Sequence, residues 1–276
     1  MPNIVDLAYN NMTQAHINGQ DVSLPIDWSQ VAGIEGVVTK VSELNFIDPS
    51  FIPNWVGISA RGLARAGYHY FRNGQLFYNS ARQATTFVNA IKAQGFKSGD
   101  YFVCDNEEKD ARGNSVVSMS ETLNWFYNVV VGLGLSDYSH FWLYSTADIL
   151  NNLNLSKLNT GQLAILKSIK IWVAGYINNP PIGDILTALP IAYTPDPNYY
   201  GKVIGWQYQE SAVIPTIPGG VDLNQIDSDF LLEWKSGVQP IPVISPVVVP
   251  PVSNSPFPVR VITTINGDGT FSSVKG

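Results

Sequence analysis

Residues 102–110, FVCDNEEKD, set Asp105 and Glu107 two positions apart at the end of an apolar, aromatic run. In an extended strand such residues project from one face, about 7 Å apart along the chain. Crowded carboxyls oppose each other's ionisation, so one keeps its proton near neutrality while another carries charge. Glycoside hydrolysis uses that pair: one group protonates the leaving oxygen and the other supports an oxocarbenium-like transition state.

Other β-branched and aromatic runs also end in polar groups: Asp6, Glu43, Tyr68 and Tyr70, Tyr144, Tyr176, Gln207 and Tyr208, and Asp222 and Asn224. Carboxylates among Trp and Tyr suit a sugar, because aromatic faces stack on pyranose rings. Taken singly, Glu43, Asp48 and Glu108 read as surface or loop-capping residues. His16, His69 and His140 form no i, i+4 pair and have no companion cysteines, so the sequence implies no zinc site and no other cofactor. His69, on the strand face opposite Tyr68, reads as a core or rim histidine. The single cysteine, Cys104, reads as a buried strand thiol.

Residues of this kind need a scaffold that brings many strand ends together. Eight candidate strands recur along the chain, at 3–9, 36–43, 67–71, 101–107, 140–146, 170–176, 203–208 and 220–225. Helical spacing of apolar residues marks 51–66, 80–95 and 118–133. Strands alternating with helices imply parallel pairing through crossovers. Eight strands with no Gly-rich phosphate loop after the first favour a closed TIM-like barrel over an open doubly wound sheet, with the active site at the C-terminal strand ends. The pattern degrades late. Residues 177–201 are proline-rich, and only about eleven residues separate the last two strands. The fold expected is an irregular TIM-like (β/α)5(β)3 barrel over 1–237, closed by a helix at 229–237. A Pro-rich linker at 238–258 and a short β-hairpin tail at 259–276, turning at NGDG, follow it.

Composition narrows the function. The chain has 276 residues, 45% of them hydrophobic, with seven Trp, which is ample for a large core. A net charge of −6 argues against a nucleic-acid backbone as partner. No run approaches the 18 or so apolar residues of a membrane span, so no membrane insertion is expected. The N-terminus MPNIVDLAYNN has neither the basic nor the apolar region of a secretory signal.

Several of these segments, in order, resemble the glycoside hydrolase family 25 lysozymes (N-acetylmuramidases) of the phage endolysin type. They are IVDLAYNN, GVVTKVSE, DPSFIPNWVGISARGLARAGYHYFR, VCDNE, IWVAGY and GWQYQESAVIPTIPGGVDLNQ. The resemblance covers about residues 3–235 and leaves out the tail. It implies cleavage of the β-1,4 bond between N-acetylmuramic acid and N-acetylglucosamine in bacterial peptidoglycan. Glu107 would be the general acid, Asp105 its partner carboxylate, and Asp6 and Asp222 the flanking acids. Tyr68, Tyr144, Trp206 and Tyr208 would contact sugar. Two departures bear on the cleft: Leu44 stands where the family often has Gly, and Asn106 where it has an apolar residue. The rival expectation is a non-catalytic glycan-binding or structural virion module on the same barrel. The resemblance also implies residence in the host cytoplasm until release to the wall, or association with the virion. The tail is expected to self-associate or dock on a partner, since a lone hairpin leaves its edges unpaired.

Overall fold

The computed structural model describes residues 4–17, 20–176, 189–237, 261–265 and 271–275. The chain divides into two compact units, 1–241 and 242–276. In the first, eight strands close a barrel: β1 (Ile4–Leu7), β4 (Gly36–Glu43), β6 (Ala64–Tyr70), β7 (Tyr101–Asp105), β8 (Phe141–Thr146), β9 (Lys170–Ala174), β10 (Val203–Ile214) and β11 (Ile217–Ile226). All eight sequence-derived strands are present, although β6 begins at Ala64 rather than 67 because the preceding helix stops at Ala60.

Strands β1, β4 and β6 to β10 pair in parallel, but β11 runs antiparallel to both β10 and β1. The parallel pairing expected where strands alternate with helices therefore ends at β10, in keeping with an irregular (β/α)5(β)3 barrel. β10 extends to Ile214, so only Pro215 and Thr216 connect it to β11. Two residues can close a hairpin, whereas a parallel return needs a crossover of about a dozen or more.

Helices α1 (Phe51–Ala60), α2 (Ser80–Gln94), α3 (Met119–Leu133), α4 (Ala147–Asn152) and α5 (Thr160–Ser168) occupy the crossovers. Their starts are written locally: Asn79 accepts from the Arg82 amide and Ser118 from the Glu121 amide, each relieving an unpaired first-turn donor. Gly134, at φ 72°, ends α3 in the left-handed region. The inward strand faces form one apolar cluster, and the outer sides form two more, one against α2 and α3 and one around Val5, Trp28 and Ile58.

Helix α6 (Ser228–Ser236) plugs the barrel floor. Its Phe230 and Trp234 pack edge-on against Tyr101 and Trp142. A ring of this size removes ~200 Å² from water, roughly 5 kcal/mol of transfer free energy. A buried ion pair reinforces this end, Arg65 Nε to Asp100 Oδ1 at 2.8 Å and Nη2 to Oδ2 at 2.5 Å, with the guanidinium 3.7 Å over the Trp55 ring. The mouth, at the opposite end, is left to polar side chains.

Two small elements were not anticipated. A hairpin of β2 (Thr13–Ile17) and β3 (Gln20–Leu24) follows β1, and β5 (Phe46–Ile47) folds back on the end of β4. In the second unit, β12 (Val261–Ile265) and β13 (Phe271–Lys275) pair antiparallel, Ile265 opposite Phe271. The expected Pro-rich linker at 238–258 and the NGDG turn lie outside the described residues. Among the described residues, no helix is long and apolar enough to cross a membrane.

Candidate active site

The barrel closes so that four carboxyls meet at its mouth. Asp6 lies near the end of β1, and the antiparallel register sets it directly opposite Asp222 on β11. Asp105 ends β7 beside Tyr70 of β6 and Tyr144 of β8. Glu107 lies two residues past the strand, yet the alternation persists through Asn106. The Asn106 amide donates to the Tyr144 carbonyl at 3.0 Å, and its own carbonyl accepts from Ser145 Oγ at 2.7 Å. The Asn106 side chain, fully buried, points away from the acids, bonding Thr122 of α3 and accepting from Asn73 Nδ2 at 2.8 Å. The Asn106 departure therefore anchors the segment instead of entering the cleft.

Crowding sets the electrostatics. Burial, then the Asp222 charge, push the Asp6 carboxyl up to about 8, against hydrogen bonds from Asn224 and Gln207 that favour ionisation. Burial, then Glu107, hold Asp105 well above the usual range, with Lys40 the cation that opposes them. Burial raises Glu107 as well, and likewise Asp222. The four groups titrate as a set, so some remain protonated at neutral pH. Asp105 Oδ1 is buried without a hydrogen-bond partner.

Residues that the sequence reading noticed but did not assign to the site hold the acids in place. Gln207, 2% exposed, donates from Nε2 to Asp6 Oδ2 at 3.1 Å and Asp222 Oδ2 at 3.4 Å. Asn224 Nδ2 donates to Asp6 Oδ2 at 3.0 Å, and Trp172 Nε1 donates to Asn224 Oδ1 at 2.9 Å. Their signal was the alternation itself, since Asn224 shares a face with Asp222 and Gln207 alternates with Trp206 and Tyr208. The Ser211 amide reaches Asp222 Oδ1 at 3.2 Å from a bulge in β10 where Ser211 takes φ 57°. Bulges re-aim groups beside sites in this way.

The four expected sugar contacts divide. Tyr68 lies partly buried in the barrel interior, near Asp105 and Asp6. Tyr144 lines the same interior and gives its hydroxyl to Gln207 Oε1 at 2.7 Å. Trp206 is a correction. It is fully buried in the outer cluster, its indole donating to the Gly175 carbonyl at 2.7 Å, so no ring face remains for a sugar. Tyr208 packs on the same outer side against Trp206. Tyr176, 47% exposed at the mouth with its hydroxyl 2.6 Å from Gln207 Oε1, is the aromatic the sequence reading left out of the site.

The remaining candidates are structural. His69 is fully buried, stacked on Trp125, with Nδ1 2.8 Å from Ser42 Oγ and Nε2 3.0 Å from Gln83 Oε1; burial lowers it to about 4, so it stays neutral. The Cys104 thiol is buried and pushed up, which removes it as a nucleophile. Asp48 caps the turn before α1 through the Ser50 amide at 2.9 Å. Glu43 pairs with Lys40 at 2.7 Å and Arg72 at 2.6 Å, and Arg72 also meets Glu108 at 3.4 Å. Leu44 takes φ 53° as the first of two residues turning β4 into β5, which explains why Gly is favoured there. Among the described residues, no set of His, Cys, Asp or Glu side chains is arranged to hold a metal ion.

Residues 16–217 match the sequence family described as Glycosyl hydrolases family 25. This chain belongs to that family. The matched span contains Asp105 and Glu107 but neither Asp6 nor Asp222, which barrel closure brings to the same mouth. An autolytic lysozyme of Clostridium acetobutylicum is 21% identical over 210 residues, 75% of this chain and 54% of that protein. The chain thus spans about half the length of that relative. Two solved structures share the fold at 19% identity and a TM-score of 0.58. The bacterial lysozyme of Streptomyces coelicolor covers 86% of this chain and 98% of its own. The catalytic domain of an endolysin from a Listeria monocytogenes bacteriophage covers 85% and 97%.

Proposed function

We propose that this family 25 hydrolase cuts the β-1,4 bond between N-acetylmuramic acid and N-acetylglucosamine in bacterial peptidoglycan. One observation carries the reading: Asp6, Asp105, Glu107 and Asp222 converge at one barrel mouth, each with its carboxyl raised. Glu107, raised yet reachable from solvent, gives its proton to the glycosidic oxygen as the bond to the anomeric carbon breaks. The buried, unpartnered Asp105 Oδ1 accepts from the N–H of the substrate's own acetamido group. That group's oxygen then bonds to the anomeric carbon from the opposite face, and water opens the intermediate while returning a proton to Glu107. The outcome is retention of configuration. The endolysin among the structural neighbours supports a phage-type lytic role, acting on the wall after release from the host cytoplasm or from a virion.

Reducing-end analysis of digested peptidoglycan tests the reading. New muramic acid ends are expected from the wild type. Glu107→Gln, nearly isosteric, should lose roughly 10²- to 10⁴-fold in rate while remaining folded. Clearance at the wild-type rate by a folded Glu107→Gln protein would overturn the assignment. Wall binding with no new ends would favour the non-catalytic module.

A further inference from the structure

Between Gln209, opposite Leu223, and Ala212, opposite Val221, two residues of β10 face the single Asp222 of β11. Of those two, Glu210 and Ser211, the serine takes φ 57°, a left-handed conformation uncommon outside glycine. This turns the Ser211 amide onto Asp222 Oδ1 at 3.2 Å. Gly220 makes room for it, because a Cβ there would lie 2.6 Å from the Ser211 Cα. The buried Asn11 holds the facing segment, its Nδ2 donating to the Gly220 carbonyl at 2.9 Å and the Pro218 carbonyl at 3.3 Å. Asp222 Oδ2 accepts from Gln207, so both Asp222 oxygens take an N–H, whereas the two amide donors that reach Asp6 share its Oδ2. Donors spread over both oxygens favour the charged carboxylate, so the charge belongs on Asp222 and the proton on Asp6.

We propose that Ser211 is a positioning residue: the bulge that Gly220 admits aims its backbone amide at Asp222 and keeps that acid charged, and the Asp222 charge keeps the proton on Glu107 for delivery to the departing sugar oxygen. The inference rests on reading Glu107 as the acid. Burial raises Asp222, and the Ser211 amide leads what lowers it, ahead of a hydrogen bond from Asp6. The other titratable groups facing Asp222 are Glu210 beside the amide, Asp6 from β1, Tyr68 from β6, Glu107 past β7 and Tyr176 past β9. None of these is a cation, so a backbone donor has to favour the charge. Burial also raises Glu107; the Tyr144 hydrogen bond and the Lys109 charge oppose that, and the Asp222 charge supports it. Asp105, Asp6, Tyr70 and Tyr176 complete the groups around Glu107. The arrangement accounts for a left-handed serine and a glycine set against one acid.

The test is the alkaline limb of the pH profile of kcat on purified peptidoglycan, using the full chain. Ser211→Pro removes the amide proton outright, at a bulge, where a strand tolerates proline. Asp222 then holds its proton to higher pH, and Glu107 loses the charge that supports its own. The limb should fall by about half a pH unit, a roughly threefold loss of rate above it. Asp222→Asn, neutral at every pH, should lower the limb as well, and adding Ser211→Pro to it should move the limb no further. A limb that Ser211→Pro leaves in place, with kcat lowered equally at every pH, would mean a merely structural bulge and overturn the proposal. A further fall in the Asp222→Asn background would overturn it too. If Ser211→Pro does not fold, Gly220→Ala replaces it, since the added methyl drives the Ser211 backbone away, and the same outcomes decide. A wild type that releases no muramic acid ends would defeat the functional reading, not this one. The ¹³C carboxyl titrations of Asp222 and Glu107 show the first rising and the second falling in the variant without turnover.

Discussion

Replacing Asp6 by Asn should change how the stability of the barrel depends on pH. The Asp6 carboxyl is raised from 3.8 to about 8 in the folded chain. Between those values the folded protein holds a proton that the unfolded chain has lost, so stability is fully present below about pH 4 and drains away as pH rises toward 8. Each unit of the shift corresponds to about 1.4 kcal/mol, so a four-unit span sets a ceiling of roughly 6 kcal/mol. Asp6 is partly exposed at the mouth and titrates together with Asp222, so solvent and partner share the load. A net effect of about 2–4 kcal/mol is expected. Asn at this position keeps one oxygen to accept from Gln207 and Asn224, and turns its NH₂ toward Asp222, so the substitution orphans no donor. The assay is urea unfolding followed by tryptophan fluorescence at pH 4.5 and 8.5. All seven Trp precede residue 238, so the signal reports the barrel alone. The wild type should lose stability between the two pH values and Asp6→Asn markedly less. Two parallel pH profiles, differing by under about 0.5 kcal/mol, would refute the reasoning.

Asp100→Asn leaves the Arg65 guanidinium, whose side chain is 5% exposed, without its counter-charge, and should cost about 3–5 kcal/mol in urea unfolding with kcat unchanged, because the pair lies at the floor of the barrel. Leu44→Gly exchanges relief of left-handed strain for extra unfolded-state freedom, so its unfolding free energy should stay within about 1 kcal/mol of wild type, unlike glycine in the body of a strand. Truncation after Gly237 should leave hydrolysis of soluble glycan fragments intact, since every proposed catalytic residue precedes the cut. Light scattering and co-sedimentation with walls would then tell whether the tail served assembly or wall binding.

Much of the fold was legible because the signals are local. β-branched and aromatic runs mark strands wherever they fall, and the three-and-four spacing of α2 and α3 reads as helix in isolation. Asn79 and Ser118 announce where those helices start. The β2–β3 hairpin is not legible because TQAHI, residues 13–17, shows no apolar stripe, and Thr13 and Gln14 are solvent-exposed. The resemblance puts Trp206 in the cleft, and alternation in WQY does not say which face turns inward. The inner face took Gln207.

By itself the sequence determined that Asp105 and Glu107 share a face, since a period of two leaves them no other arrangement. Tertiary structure alone decided that Asp222 meets Asp6. Their positions are far apart along the chain, and they become neighbours only because a two-residue turn reverses β11 and slots it between β10 and β1 to close the barrel. Parallel pairing of neighbouring strands brings Arg65 of β6 to Asp100 just before β7, and Tyr144 and Tyr176, at the ends of β8 and β9, to Gln207 of β10. Local chemistry sets what each segment can become, but which carboxyls share a proton depends on which strands the closed sheet makes adjacent.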